Sequence, residues 1–273
     1  MNETEKLLFP EGKITNYPLY VYRVFFKILS LVIFGIGNIL LAIVCFPLCK
    51  LIFRSKKSFR YHTRYIVYLL FSGFTKVLRF LGVLKITVDK KDVLANAKSA
   101  IVVANHSAYL DSFVMIALLK NTSVILKAKL SKKNIMRFVI NELYTPNSVP
   151  FNEMLNHAKE DFDMGNTLLM FPEGTRSSPY GQRHYKKGAA RISLASGVPI
   201  IPVYIGGNSK KGLGKGDGIF EYNPTSMYSF DIHVKDFVYP DEFKDLPGPI
   251  AAKRLTNKLH EILSDDANAK YRY

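Results

Sequence analysis

The sequence predicts an α/β protein with a central mixed, mostly buried sheet flanked by helices, preceded by a membrane-associated helical segment. From residue 86 onward, short apolar runs alternate with longer stretches of helical periodicity, which is typical of an α/β domain with a buried sheet. Before that point, a long uncharged stretch is followed by a basic, aromatic one. We therefore divide the chain into membrane-anchoring or interfacial helices at 1–85 and an α/β domain at 86–273.

The composition favours an anionic partner. The 273 residues include 38 Lys and Arg against 22 Asp and Glu, a formal net charge of +16. Such an excess favours nucleic acid, acidic lipid surfaces or phosphorylated substrates. Because no nucleic-acid motif is present and much of the excess flanks apolar segments, we expect an anionic bilayer surface and no nucleic acid. Cys45 and Cys49 share one apolar run, so neither a disulfide framework nor a zinc site is predicted.

The apolar stretch at residues 28–46, ILSLVIFGIGNILLAIVCF, has 19 residues and no charge. This length is enough to cross the hydrocarbon core of a membrane. A spanning helix and a re-entrant one both fit, because Gly35, Gly37 and Pro47 permit a bend, and a buried core helix is the alternative. More basic residues follow the stretch than precede it, which predicts that the main domain lies on the cytoplasmic face. The residues that follow are Lys50, Arg54, Lys56, Lys57, Arg60 and Arg64.

The next stretch, residues 61–85, is apolar and aromatic but carries basic side chains, which predicts a helix lying on anionic headgroups. Strands are predicted at 86–89, 99–104, 122–126, 167–171, 200–205 and 228–237. Helices are predicted at 110–120, 131–144, 152–164, 185–196 and 248–264. The stretch 206–218, GGNSKKGLGKGDG, matches neither Gly-rich phosphate-binding pattern and is predicted to be a flexible, solvated loop.

Polar clusters follow three of the apolar strands, at residues 105–111, 172–177 and 206–208. Loops at the carboxyl ends of strands gather at one edge of an α/β sheet, so these clusters are expected to share a pocket.

His106 and Asp111 are the candidate catalytic pair. A neutral imidazole is a natural general base near pH 7, and a carboxylate that accepts its other N–H fixes the tautomer. The spacing permits contact if His106 lies in a turn and Asp111 begins the next helix. No G-x-S-x-G motif and no cysteine outside the apolar run are present, so the nucleophile is expected from the substrate, as a hydroxyl or amine. The alternative is an N-capping Asp111 and a structural His106.

A second candidate cluster is FPEGTRS at 171–177. Arg176 is suited to hold a phosphate through two hydrogen bonds, and Gly174 allows close approach of a ligand to the backbone. Glu173 is suited to bind acceptor hydroxyls or to orient Arg176. The alternative is a simple turn with a surface ion pair.

Three segments together resemble the glycerolipid acyltransferase superfamily, typified by bacterial 1-acylglycerol-3-phosphate acyltransferases. They are NHSAYLD at 105–111, FPEGTRS at 171–177 and KKGAARISLASGVPIIPV at 186–203. The resemblance covers about residues 85–210, and the apolar N-terminal segment fits it as well. Two motifs of fixed spacing followed by a third block in the right order make it specific.

The resemblance implies a membrane-bound enzyme that transfers a fatty acyl group from acyl-CoA or acyl carrier protein to a hydroxyl of a lysophospholipid. It implies that His106 is the general base, that Asp111 orients it, and that backbone amides near Gly174 steady the oxyanion. No metal, other cofactor or covalent enzyme intermediate is required. The implied head-group residues are Glu173, Gly174, Thr175, Arg176, Lys127 and Lys129. The implied pocket supports are Asn105, Pro172, Pro199 and Pro202.

One block departs from the family pattern. Phosphatidic-acid-forming members carry approximately G-x-I-F-I-D-R, whose Arg contacts the acceptor phosphate, whereas this chain has NSVPFNE at 147–153. Asn152 and Glu153 stand in place of the Asp and Arg, and a carboxylate repels a phosphate monoester. Lysines upstream, or Lys186 and Lys187, would compensate. The open alternatives are a zwitterionic or amino-acid-containing lyso-lipid or another hydroxylated amphiphile as acceptor, and a catalytically silent lipid-binding protein.

Overall fold

The computed structural model describes residues 13–126, 143–175, 184–214 and 216–269. Most of the helix predicted at 131–144 lies outside these ranges.

The N-terminal region forms a helical hairpin. Helix α1 (Tyr17–Leu40) continues through a π-helical turn (Leu41–Cys45) into α2 (Phe46–Ile52), and α3 (Lys56–Phe80) returns beside it. The π turn lies just before Pro47, whose ring lacks an N–H and crowds the preceding turn, so the helix widens there and is not broken. The uncharged stretch at 28–46 is therefore part of a longer continuous helix.

A mixed sheet follows, as predicted. Its described strands are β1 (Leu84–Val88), β2 (Ile101–Ala104), β3 (Thr122–Leu126), β4 (Thr145–Pro146), β5 (Thr167–Met170), β6 (Ile200–Ile205) and β7 (Tyr228–Val234). The spatial order is β1-β7-β6-β2-β5-β3-β4. Neighbouring strands are parallel except β6 and β7. Strands β2, β5 and β6 therefore end at one edge of the sheet, where β1 and β7 begin; we call it the site edge.

Helices cover both faces of the sheet. Between β1 and β3 lie α4 (Lys91–Ala95) and α5 (Asp111–Leu118), and the later helices are α6 (Phe151–Asp163), α7 (Gly188–Ser196) and α8 (Gly248–Ala269). Alternate residues of β2 face opposite ways. Val102 and Ala104 pack in a core with α3 and α5, whereas Ile101 and Val103 pack in a second core with α6, α7 and α8.

Predicted and observed elements agree to within a few residues except at short or terminal segments. The two-residue β4 and the five-residue α4 are not predicted. Strand β7 ends at Val234, before the predicted 237, because Lys235 N–H donates to the Pro202 carbonyl and Val238 then pairs with Ile200. The ladder is thus interrupted between the two pairings.

A buried ion pair joins the hairpin to the α/β domain. Arg64 of α3 and Asp161 of α6 are 4% and 2% exposed and bond to each other. Arg64 also donates through Nε to the Leu143 carbonyl at 2.8 Å and through Nη2 to Ser123 Oγ at 3.3 Å. The neighbouring Arg60 pairs with Glu160 at 3.1 Å. The basic cluster counted after the apolar stretch therefore includes two arginines that bind protein carboxylates.

We expect Asp161→Ala to lower the free energy of unfolding by about 3–5 kcal/mol, because it leaves the buried Arg64 charge unpaired. The matched control is Glu160→Ala, which removes a partner whose side chain is 47% exposed and should cost less than about 1 kcal/mol. Equilibrium unfolding of detergent-solubilised protein measures both. An equal loss of unfolding free energy in the two variants would show that the buried Arg64–Asp161 pair stabilises the protein no more than the exposed pair does.

Candidate active site

The end of β2 is fixed to β6 by one buried side chain. Asn105, 1% exposed, donates through Nδ2 to the Ile205 carbonyl at 3.0 Å and accepts the Ile205 N–H through Oδ1 at 2.6 Å. The side chain extends the pairing of the two strands by one step. It thereby sets where the chain leaves the sheet for the turn that carries His106.

His106 and Asp111 are in contact, as their spacing predicts. His106 Nδ1 lies 3.1 Å from Asp111 Oδ2, and the two side chains are 18% and 0% exposed. With an ionised carboxylate, this hydrogen bond requires the proton on Nδ1 and leaves Nε2 as a proton acceptor. Nε2 forms no hydrogen bond within the described parts of the chain. The ring packs on Phe171, with centroids 4.5 Å apart, which restricts its orientation.

Asp111 does not act as an N-cap. It is the first residue of α5, but its Oδ2 accepts the backbone N–H groups of Ser107 and Ala108, each at 2.7 Å, on the N-terminal side. Asp111 Oδ2 thus accepts three hydrogen bonds, two from the backbone and one from the His106 ring. One oxygen therefore both shapes the turn and orients the imidazole.

The second motif meets this turn at the site edge. Glu173, 7% exposed, accepts the His106 backbone N–H through Oε1 at 3.2 Å. Gly174 has φ +67°, a conformation that favours glycine, and its own N–H donates to the Phe171 carbonyl at 3.0 Å. The Gly174 amide is thus engaged within the turn, and an oxyanion-binding amide near Gly174 stays a prediction.

Lys186 brings a cation to the same place. Its backbone N–H donates to the Pro172 carbonyl at 2.9 Å, and its side chain crosses Gly174 so closely that a Cβ there would lie 3.0 Å from Cε and Nζ. The Lys186 side chain is exposed. From the sequence, Lys186 is a candidate only as compensation for Glu153, because its contact with Gly174 depends on the fold.

Residues 206–208 and 210–214 of the 206–218 loop are buried or half-buried, which corrects the prediction of a solvated loop for that part, whereas residues 209 and 216–218 are exposed. Cβ atoms on Gly207 and Gly212 would lie 1.7 and 1.9 Å from backbone carbonyl oxygens, so these glycines permit a close approach between chain segments. The Leu213 carbonyl accepts the Tyr109 N–H at 2.8 Å. Lys27 of α1, 2% exposed, donates to the Glu221 carbonyl. Lys27 also donates to the Gly212 carbonyl at 3.4 Å, so the loop links the hairpin to the turn that carries His106.

The remaining predicted residues divide by position. Pro172 is buried at the site edge and Thr175 is exposed there. Pro202 lies within β6 opposite Val103, whereas Pro199 lies at the other edge, where its carbonyl accepts the Ile101 N–H at 3.0 Å. Lys127, Lys129 and Arg176 lie outside the described residues. In the described ranges, no group of three or more His, Cys, Asp or Glu side chains is placed to hold a metal ion.

Asn105→Ala should lower the free energy of unfolding by about 1–3 kcal/mol for each Ile205 backbone group left buried and unpaired. Asn152→Ala is the control, since Asn152 is exposed in the first turn of α6 and should shift stability by no more than about 0.5 kcal/mol. Chemical denaturation compares the two. A loss no larger for Asn105 than for Asn152 would show that the tie to β6 contributes no stability.

Known proteins share this sequence and fold. A sequence model of the Acyltransferase family matches residues 85–206. The chain is 28% identical over 199 residues to a probable 1-acyl-sn-glycerol-3-phosphate acyltransferase of Mycoplasma genitalium, covering 67% of this chain and 70% of that protein. It is 44% identical over 59 residues to the 1-acyl-sn-glycerol-3-phosphate acyltransferase of Escherichia coli, covering 22% of this chain and 23% of that one.

The fold also resembles the crystal structure of the 1-acyl-sn-glycerophosphate (LPA) acyltransferase PlsC from Thermotoga maritima. The TM-score is 0.64 at 21% sequence identity, and the match covers 95% of this chain and 98% of that one. Residues 85–206 therefore form an acyltransferase domain, and the whole chain shares the fold of the solved acyltransferase.

Proposed function

We propose that this acyltransferase moves a fatty acyl group from an acyl thioester to the free hydroxyl of 1-acylglycerol-3-phosphate. The names of the relatives in Mycoplasma genitalium and Escherichia coli support this acceptor. The observation that carries the proposal is the 3.1 Å contact between His106 Nδ1 and Asp111 Oδ2 on a partly exposed imidazole at the site edge. The pair has the geometry of a general base with its orienting carboxylate.

In the proposed reaction, His106 Nε2 takes the proton of the acceptor hydroxyl as its oxygen attacks the thioester carbonyl. The tetrahedral intermediate collapses with loss of the thiolate, which takes the proton back from the imidazolium. Asp111 stabilises that imidazolium while its own bonds to Ser107 and Ala108 hold it in place. The acyl group passes directly from donor to acceptor, and the donor is acyl-CoA or acyl carrier protein with no further cofactor.

The acceptor phosphate is proposed to bind beside Gly174. Lys186 Nζ already lies against this glycine, and a cation there offsets the charge of a phosphate monoester. Glu173 accepts the His106 backbone N–H. It thereby keeps the segment around Gly174, where the phosphate is proposed to bind, next to the proposed base. Thr175, Arg176, Lys127 and Lys129 complete the proposed head-group set.

We also propose that the hairpin attaches the enzyme to a membrane, with the catalytic domain on the cytoplasmic face. The helix Tyr17–Ile52 is long and apolar enough to cross a bilayer. Most of its apolar side chains are exposed, among them Phe25, Ile33, Ile36 and Ile43, which argues against a buried core helix. An anionic bilayer surface is the partner that its basic surroundings favour.

Glu153 favours a second candidate acceptor. It is exposed in the first turn of α6, in place of the family's phosphate-binding Arg, and forms no ion pair with any described residue. A lysophospholipid with a zwitterionic head group would not be repelled by this carboxylate. The two candidates differ in the acceptor and share the catalytic pair.

His106→Ala is expected to lower kcat by about 10²- to 10⁴-fold, because general-base catalysis is lost. The chain contains a matched control: His233 Nδ1 lies 3.0 Å from Asp89 Oδ2, but both side chains are about half exposed, at 46% and 45%, and they lie away from the site edge. His233→Ala should leave kcat within about twofold, as expected of surface substitutions. Release of CoA from labelled acyl-CoA measures the turnover. If His106→Ala keeps more than about a tenth of wild-type turnover, His106 is not the base.

For Lys186→Met we expect the KM for 1-acylglycerol-3-phosphate to rise about tenfold, since a charge-assisted contact of about 1.5–3 kcal/mol is lost. The KM for lysophosphatidylcholine should rise less, because its phosphodiester carries only one negative charge and its head group is zwitterionic. Lys98→Met, an exposed lysine at the opposite edge, is the control for loss of charge. An equal rise for both acceptors would contradict a role of Lys186 in recognising the phosphate monoester, and turnover of lysophosphatidylcholine alone would select the second candidate.

A further inference from the structure

A basic recess lies on the site edge, on the hairpin side of the sheet. It is a cavity of about 370 Å³ lined by Lys76, Arg79, Phe80, Leu84, Lys85 and Met227. Lys76 and Arg79 come from the last turns of α3, Lys85 from β1, and Met227 directly precedes β7. Neither the His106–Asp111 pair nor the segment around Gly174 contributes to its walls.

The recess gathers positive charge that the protein does not neutralise. All three basic side chains are exposed, and none forms a side-chain hydrogen bond or ion pair within the described ranges. Two basic groups at the C-terminus of α3 are favourable for the helix dipole alone. Lys85 belongs to a strand, however, so its convergence on the same cavity has no such explanation. Three like charges around one recess favour an anion between them.

The surroundings of the recess are apolar. Phe80 is 89% exposed, and exposed apolar side chains continue along α3 through Val77, Leu69 and Tyr65. A large ring in water beside three cations is typical of a surface that meets both acyl chains and charged headgroups. A soluble phosphate would use the cations but gain nothing from Phe80.

The recess is near the catalytic turn but separate from it. Strand β1 is three positions from β2 in the sheet order β1-β7-β6-β2, and strands lie about 4.8 Å apart, so the separation is roughly 14 Å. At this separation the recess is a site of its own and does not extend the acceptor pocket.

We propose that this recess binds the headgroup phosphate of an anionic membrane phospholipid that is not a substrate. The lipid phosphate lies among Lys76, Arg79 and Lys85 while Phe80 inserts among the acyl chains. The inference rests on the proposed membrane function, which it makes more specific: the bound lipid holds the site edge against the membrane surface from which the acceptor enters.

The test compares two triple variants of the full-length protein. Lys76→Gln, Arg79→Gln and Lys85→Gln neutralise the recess. Lys244→Gln, Lys253→Gln and Arg254→Gln remove the same charge from exposed positions at and just before α8, on the other face of the sheet. Binding is measured by co-sedimentation with phosphatidylcholine vesicles that contain or lack phosphatidylglycerol.

We expect the recess variant to lose about tenfold or more of its affinity for the phosphatidylglycerol vesicles. Its binding to pure phosphatidylcholine should not change, and the control variant should bind both like the wild type. Equal weakening in the two variants would mean that only net charge matters and would overturn the proposal. So would wild-type binding by the recess variant. Phe80→Ser, which leaves the charges intact, should also weaken binding, whereas unchanged binding would remove the apolar part of the proposed site.

Two further measurements separate the causes. Acyl transfer in detergent micelles should be the same for the wild type and the recess variant, because the acceptor site is elsewhere. Failure of the wild type to transfer acyl groups would refute the proposed function while the vesicle result stands. Titration with CoA and with inorganic phosphate, without vesicles, identifies the source of the phosphate. Binding of either by the wild type but not by the recess variant would overturn the lipid assignment.

Discussion

The candidate site depends on one carboxylate oxygen. Asp111 Oδ2 accepts hydrogen bonds from the His106 ring and from the backbone of Ser107 and Ala108. The same atom therefore determines the path of the turn, the start of α5 and the tautomer of the imidazole. The carboxylate is wholly buried, so the conformation of the turn and the orientation of the His106 ring depend on the same three hydrogen bonds.

The large positive charge of the chain has at least two different uses. Arg64 and Lys27 are buried, and they bind the hairpin to α6 and to the 206–222 region. Lys76, Arg79 and Lys85 are exposed and have no acidic partner within the described residues. A count of basic residues cannot separate these groups, because burial and pairing depend on contacts between residues far apart in sequence. The hairpin is consequently an integral part of the domain as well as a candidate anchor.

The sequence predicts the mixed sheet, the main helices and the His106–Asp111 contact because each has a local signal. Apolar periodicity predicts the strands and helices. His106 and Asp111 are only five residues apart, so their contact can be predicted without knowing the fold. It does not predict Lys186 beside Gly174 or Leu213 holding Tyr109. Both depend on segments that are distant in the chain and meet only at the edge of the sheet. The many glycines of the 206–218 loop predict a flexible backbone. In the structure, Gly207 and Gly212 instead allow two backbone segments to approach each other closely.

The π-helical turn at Leu41–Cys45 sets the helical phase of everything beyond it. One extra residue in a turn rotates all later side chains by about 100° relative to an uninterrupted α-helix. Past the turn, Phe46 and Cys49 face the protein interior while Leu48 is 51% exposed, and Phe46 meets Phe59 of α3 with ring centroids 5.0 Å apart. Pro47 therefore does more than limit hydrogen bonding: through this rotation it decides which side of the end of the hairpin packs on α3 and which side faces outward.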